Sequence, residues 1–374
     1  MDIKNTLRTS VAAGALLALA PVAISSSADA GSLKQQGKMD LVMGGQIARS
    51  LLYVDDGETS QLFHIDNPTT GTRVRYIAKG QLTESITVGG LLEHDVGQSN
   101  QSARFTTTTG DEESPDTATF GIRHADISFS HKSLGKLSIG QGNGAANGVS
   151  EVSLGGWGFI NAGGPAQNSA FDFFNNGTQA YSGQTIGANM SQFDGNSRND
   201  RVRYDTPSFG GLVVSASLQD NGSIETAARY GAKFGGVQVK IAAHYNNNNG
   251  GTGFQQWSTS GAAKHSSGLN VEAGYGGRSG DGLGRKPKWW KAGVGYTAKL
   301  SSLGATSFGF VYHDNEDVGT AGNDANSISI IAVQKLASIG ADMGIQYQRL
   351  TLDDTANTDY DDINQVMFTT KLNF

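Results

Sequence analysis

The chain has 374 residues, no cysteine, 28 Lys and Arg against 34 Asp and Glu, and a formal net charge of −6. Without cysteine there is no disulfide and no thiolate-based metal or redox site, and the acidic balance argues against a polyanion-binding surface, so no nucleic acid is expected as a partner. Glycine at 52 residues and proline at only 6 disfavour both Pro-rich disorder and a helix-rich globule, which leaves strands and turns.

In chain order, Lys4 and Arg8 precede an apolar run from Val11 to Ile24 that ends at Ala28-Asp29-Ala30, the layout of a cleavable secretory signal. The run falls short of the roughly 20 residues that a spanning helix needs. Residues 1–30 therefore read as a signal peptide and 31–374 as a single domain, with the mature chain starting near Gly31. Lys4 and Arg8 are balanced by Asp2 and Asp29, so removing the signal leaves the net charge unchanged. No 18-residue apolar run follows, which excludes helical membrane spans and says nothing against a barrel with a polar interior.

From there, short alternating runs recur. The clearest is Trp289 to Leu300, where Trp290, Ala292, Val294, Tyr296 and Ala298 fall on one face and Lys291, Gly293, Gly295, Thr297 and Lys299 on the other, the period of two that marks a strand. Similar runs fall near 38–54, 71–80, 84–96, 118–132, 134–142, 199–207, 210–220, 228–234, 237–246, 255–265, 268–276, 305–315, 326–337, 339–352 and 363–374, sixteen in all. Short links such as Ser133, Gly235-Gly236 and Ser338 alternate with longer polar ones. An even number of strands with short turns at one end and long loops at the other predicts an all-β fold, a transmembrane antiparallel up-and-down β-barrel of 16 strands. A secreted β-sandwich or β-solenoid is the soluble alternative. Val366, Phe368, Thr370, Leu372 and Phe374 alternate with polar neighbours to the last residue, so the final strand is expected to close the barrel against the first.

The pattern lapses once, from Asn143 to Ser197, after five strands and before eleven. This stretch carries seven aromatic residues, three acids and no Lys, Arg or His. A long insertion without its own regular pattern is usually functional.

Two segments on either side resemble the trimeric general porins of Gram-negative outer membranes. Arg123-His-Ala-Asp-Ile-Ser-Phe-Ser-His-Lys-Ser-Leu-Gly-Lys-Leu-Ser-Ile-Gly-Gln141 is similar to the family's hairpin before its third loop, and Arg201-Val-Arg-Tyr-Asp-Thr-Pro-Ser-Phe-Gly-Gly-Leu212 to the strand and turn after it. The resemblance implies a sixteen-stranded barrel, a homotrimer, and a third loop, here 143–197, folded into the lumen. The loop lacks the Pro-Glu-Phe-Gly-Gly pattern that many members carry.

A pore eyelet needs fixed charges facing one another across a narrow water-filled gap. Glu151 and Asp172 are the loop's central acids, with Asp194 near its exit. Opposite them are expected Arg73 and Arg75, which share the polar face of their strand, and Arg123, carried over from the family's hairpin. Strict alternation sets Arg123 on the face of Ile127 and Phe129, a mismatch that a β-bulge would resolve. Glu93, Arg201 and Arg203 also lie on polar faces, whereas Arg49 sits beside Leu41, Ile47 and Leu51 and is the weakest candidate.

The remaining signals are local. Gly140-Gln-Gly-Asn-Gly144 reads as a glycine-rich loop start, since no helix pattern follows it. Asp111-Glu112-Glu113, Asp353-Asp354 and Asp359/Asp361-Asp362 read as solvated loop charge that could also meet divalent cations at a lipopolysaccharide surface. Trp289, Trp290, Tyr53 and Tyr245 fit an interfacial aromatic girdle. Seven histidines and many serines show no nucleophile-base pair and no metal-ligand spacing, and no cofactor is expected. The reading is an outer-membrane porin for passive diffusion of ions and small hydrophilic solutes, in contact with outer-membrane lipid and lipopolysaccharide. The alternatives are a substrate-selective pore whose Trp157, Phe171, Phe173 and Phe174 stack sugars, or an outer-membrane enzyme or adhesin.

Overall fold

The computed structural model describes residues 32–34, 39–97, 119–161, 164, 168–248, 253–280 and 283–374. The predicted signal at 1–30 and the Asp111-Glu112-Glu113 cluster lie outside the described residues. Sixteen strands form one closed antiparallel ring. They are β1 (Met39–Asp55), β2 in two pieces (Ser60–Asp66 and Arg73–Gln81), β3 (Ile86–Gly97), β4 (Thr119–His131), β5 (Gly135–Asn143), β6 (Arg198–Asp205), β7 (Leu212–Gln219) and β8 (Ile224–Phe234). The second half comprises β9 (Val237–Asn247), β10 (Gln255–His265), β11 (Leu269–Ser279), β12 (Lys288–Ser301), β13 (Gly304–Glu316), β14 (Asp324–Leu336), β15 (Ala341–Asp353) and β16 (Ile363–Asn373).

Each strand pairs with the next, and β16 closes on β1 with Ile47 opposite Leu372 and Leu51 opposite Phe368. The last residue is locked into this seam: Gly45 N–H donates to the Phe374 carbonyl at 2.8 Å and Phe374 N–H returns the bond at 3.1 Å. The broken second strand differs from the sequence reading, which placed only 71–80. Both pieces pair with β1, Tyr53 opposite Leu62 and Gly44 opposite Arg75. Asn67-Pro68-Thr69-Thr70-Gly71 interrupts the alternation between them, and Pro68 cannot donate to a ladder.

Alternation sorts the side chains as a bilayer demands. On β1, Ile47, Leu51 and Tyr53 point outward and are exposed, while Ala48, Ser50, Leu52 and Val54 point inward and are buried. The same outward apolar row runs through Val214 and Leu218, Ile241 and Tyr245, Val294 and Tyr296, and Phe308 and Phe310. Tyr53, Tyr245 and Trp290 face outward as a girdle requires, but Trp289 does not belong with them. It is fully buried inside, where its Nε1–H donates to His313 Nδ1 at 3.1 Å, because adjacent strand residues point to opposite faces.

The hydrophobic core lies between the 143–197 insertion and one arc of the barrel's inner wall, not between two sheets. Trp157, Phe159, Ile160, Phe171, Phe173, Ile186 and Met190 of the insertion are buried against Leu52, Val54, Phe63, Val311, Ile331 and Leu350 of the wall. Trp157 lies on a flat seat made by glycines of two neighbouring strands. A Cβ added at Gly309 would stand 3.0 Å from its ring, and one at Gly295 closer still. Phe159 and Ile160 use Gly344 in the same way, each 3.2 Å from where a Cβ would be. The run of glycines that looked like a plain polar face is a docking surface for aromatic rings.

Hydrogen bonds trace the insertion around the wall. Ala145 N–H donates to Ser217 on β7 at 2.9 Å, Val152 N–H to Ser260 on β10 at 3.2 Å, and Thr297 on β12 to the Gly155 carbonyl at 3.2 Å. Asn67, in the break of β2, donates to the Phe159 carbonyl at 3.1 Å. The chain then turns back through the hairpin Asp172–Asn175 and Ala180–Thr185. On the return, Ser191 N–H meets Asn315 at 2.8 Å and His244 donates to the Phe193 carbonyl at 2.8 Å. Glu225, fully buried on β8, ties both limbs together, accepting from Ala146 N–H at 3.0 Å and Asn196 N–H at 2.6 Å.

Gly309→Val should lift Trp157 from its seat at a cost of about 1–3 kcal/mol. Because the insertion has no Lys or Arg, the expected result is faster chymotrypsin cleavage at its phenylalanines, with trypsin cleavage there absent in both proteins.

Candidate channel constriction

The insertion covers the wall from β7 round through β16 to β1 and the Ser60–Asp66 piece of β2. Across the lumen, β2, β3 and β4 turn a charged strip inward. Arg73 and Arg75 come from β2, Glu93 and Asp95 from β3, and Arg123 from β4. Glu93 is the hub, with Arg75 at 3.0 Å, Arg123 at 2.8 Å and Arg73 at 3.6 Å, while Arg123 also reaches Asp95 at 3.6 Å. The three predicted wall arginines are therefore brought together, around a carboxylate of the wall itself. Three guanidinium groups share two acids there, which leaves the strip net positive.

The bulge expected from the parity of Arg123 is present. Glu93 pairs with His124 and His94 with Ile122, so Arg123 is the extra residue between them. Phe120 and Ile122 point out before it and Ile127 and Phe129 after it, while Arg123 is turned into the lumen beside Glu93.

Arg201 and Arg203 hold the root of the insertion. Arg201 pairs with Asp126 at 2.5 Å and donates to the carbonyls of Gly140 at 2.9 Å and Asn143 at 3.1 Å. Arg203 pairs with Asp205 at 2.7 Å and donates to the Gly144 carbonyl at 2.9 Å. Their charges are compensated on the spot, and their geometry fixes where the chain leaves the wall.

Of the loop acids, Glu151 faces the gap. Its Oε1 accepts from Gln192 at 2.9 Å, and its pKa is pushed up to about 8, first by burial and then by the Asp194 carboxylate; Lys291, the Gln192 bond and Arg198 act in the opposite direction. Asp194 is held by Gly148 N–H at 2.6 Å, Ser150 N–H at 3.1 Å and the Ser150 hydroxyl at 2.9 Å. Asp172 departs from the expectation. It is buried inside the hairpin, accepting from Gly183 N–H at 2.8 Å and Ser182 at 3.1 Å, with its pKa raised by burial. The hairpin docks on the 354–362 loop, where Asn176 N–H donates to the Asp359 carbonyl at 2.9 Å.

Arg49 lies outside the lumen. Its neighbours of the same parity, Ile47 and Leu51, are exposed on the outer face, and it contacts His64 at 3.3 Å and Asp66 at 3.8 Å. Trp157, Phe171 and Phe173 are fully buried against the wall and Phe174 nearly so against Tyr181 of its own hairpin, so these rings are spent on packing and not on solute stacking. Of the acids near the C-terminus, Asp354 caps a turn of its own loop through Thr358 N–H at 2.9 Å, and Asp361 accepts from Asn176 of the insertion at 2.7 Å. Among the described residues no group of three or more His, Asp or Glu is placed to hold a metal ion.

Sequence reasoning missed Arg198 and Glu225. Arg198 sits where the insertion rejoins the wall, so strand parity gives no guide to its direction. Glu225 lies beyond the 228–234 run; extending that alternation by three residues would have placed it on the inner face with Ala227 and Arg229.

A closed antiparallel barrel of sixteen strands, apolar outside, with a loop folded against its inner wall and a charged strip facing that loop, is an outer-membrane pore. The Gram-negative porin family matches residues 12–355, and the chain belongs to that family. Among solved structures, the anion-selective porin from Comamonas acidovorans is similar at 14% identity and TM-score 0.59, covering 90% of this chain and 100% of its own. OmpF of Salmonella typhi, in complex with daunomycin, is similar at 13% identity and TM-score 0.53, with coverage of 91% and 100%. A trimer form of OmpT, an outer membrane protein of Vibrio cholerae, is similar at 13% identity and TM-score 0.57, with coverage of 90% and 100%. No curated protein matches the sequence.

With its pKa raised above the ordinary 4.5 of a glutamate, Glu151 favours the folded loop while protonated, and that contribution is lost as pH rises through about 8. The same ionisation adds negative charge to the gap. Raising pH from about 6 to about 9.5 should move the reversal potential in a KCl gradient toward cation preference. Glu151→Gln should flatten that response, while Asp172→Asn should leave it intact and lower the thermal midpoint, by about 1–3 kcal/mol of lost buried hydrogen bonding.

Proposed function

We propose that water, ions and small hydrophilic solutes diffuse passively through the gap between the inserted loop and the Arg73/Arg75/Arg123 strip, with no energy coupling, cofactor or catalytic step. The observation that carries this reading is the opposition itself. One arc of the wall is filled by the loop's core, and the other turns charge toward the space that remains. Size and charge then form the filter. His124 and Asp126, which share a face, offer no catalytic pair, since Asp126 is committed to Arg201 at 2.5 Å.

Assembly into homotrimers is the companion proposal, and the outer face supports it. Most of that face is apolar, whereas Arg49 and His64 point outward within β1 and β2. An arginine turned to hydrocarbon costs about 2–4 kcal/mol at the bilayer midplane. Asp66 at 3.8 Å offsets part of that cost, and contact with a second copy would relieve more, which favours β1 and β2 as the subunit interface.

Planar-bilayer recording should give linear KCl conductance steps arriving in threes, and silence would overturn the pore reading. Arg49→Glu should shift the unheated SDS-gel band from about three times monomer mass toward monomer mass, through loss of a contact worth about 1–3 kcal/mol per subunit. An unchanged band would move the interface elsewhere.

A further inference from the structure

The geometry points to a small-anion subsite in the lumen, centred on Arg278, that takes the carboxylate of small organic anions in transit. It rests on the pore reading above. A cavity of about 510 Å³ lies between the two limbs of the inserted loop and strands β10 and β11, lined among others by Glu151, Ser191, Asp194, Phe254, Gln256 and Arg278.

Arg278 is a held cation with donors to spare. Its guanidinium lies 4.1 Å from the Phe254 ring centroid and 5.3 Å from that of Phe193, contacts that fix the plane of the group through cation–π attraction. Its Nε and Nη2 donate to Gln256 Oε1 at 3.3 and 2.9 Å. Gln256 is itself pinned by its bond to the Asp194 carbonyl. Among the described residues, no carboxylate lies within ion-pair distance of Arg278 and Nη1 has no acceptor. This sets it apart from Arg201 and Arg203, which have Asp126 and Asp205, and from the wall trio, which shares Glu93.

The cavity's acids do not compete for that role. The Asp194 carboxylate is satisfied by three donors of its own loop, and Glu151 is bonded to Gln192 and held toward its neutral form by burial. Ser191 accepts from Phe193 N–H at 3.1 Å, which leaves its hydroxyl hydrogen free to donate into the cavity. A pre-oriented guanidinium fork, a hydroxyl donor and the apolar edges of Phe254 and Met190 match a monocarboxylate with a small apolar body.

The test is single-channel recording in KCl with benzoate added, and with benzyl alcohol as the uncharged control. Wild type should show concentration-dependent block by benzoate and none by benzyl alcohol. Arg278→Gln should weaken the apparent affinity for benzoate about ten-fold, as expected for loss of one charge-assisted pair, and Arg278→Lys should restore part of it. KCl steps in each variant report an intact barrel. Steps without benzoate block, or block equal in wild type and Arg278→Gln, overturn the subsite alone; absence of KCl steps in wild type overturns the pore reading and the subsite with it.

Discussion

Backbone pairing is the constraint from which the rest follows. In hydrocarbon an unpaired N–H or C=O costs several kcal/mol, so a spanning sheet must have no edge. The chain meets this by spending its last residue on the seam, where Phe374 and Gly45 exchange both backbone bonds. Closure then fixes an inside and an outside for every strand. That division turns a weak period-two pattern into a firm assignment of which residues meet water and which meet lipid.

Closure also creates the problem that the insertion solves. A sixteen-strand ring is too wide for wall side chains to fill. The core is imported: a stretch of chain carries Trp157, Phe159, Phe171 and Phe173 into the lumen, and the wall offers glycines and small residues to receive them. Arg201, Arg203 and Glu225 do polar work at the root of the insertion, and each is compensated by a carboxylate or by backbone groups. The gap that remains has Glu151 on the loop side and the arginine strip on the other.

Much of this was legible in the sequence because a strand's alternation is a local signal. All sixteen runs lie on observed strands, the Arg123 bulge followed from one parity conflict, and the lack of bases in 143–197 marked the loop apart. What escaped depended on contacts made at a distance. The upper piece of β2 was hidden by the Asn67–Thr72 interruption. Trp289 looked like its neighbour Trp290 until the inner face acquired a core to bury it. In sequence Asp172 is a loop acid like Glu151, and only the fold of its hairpin decides that one is enclosed and the other faces the gap. The functions of Gly295, Gly309 and Gly344 exist only once an aromatic ring arrives from elsewhere in the chain.

The off-centre core has a mechanical consequence. From β8 round through β16 to β1 and the Ser60–Asp66 piece of β2 the wall is backed from within by packed side chains, so that arc resists bending. The Arg73–Gln81 piece of β2, with β3 and β4, carries the arginine strip instead, and its inner face is held by ion pairs and not by packed apolar side chains. Arg49 and His64 lie on the outside of the core-backed arc, behind Leu52, Val54 and Phe63. The bore is therefore bounded on one side by apolar packing, which is indifferent to salt, and on the other by ion pairs that salt screens.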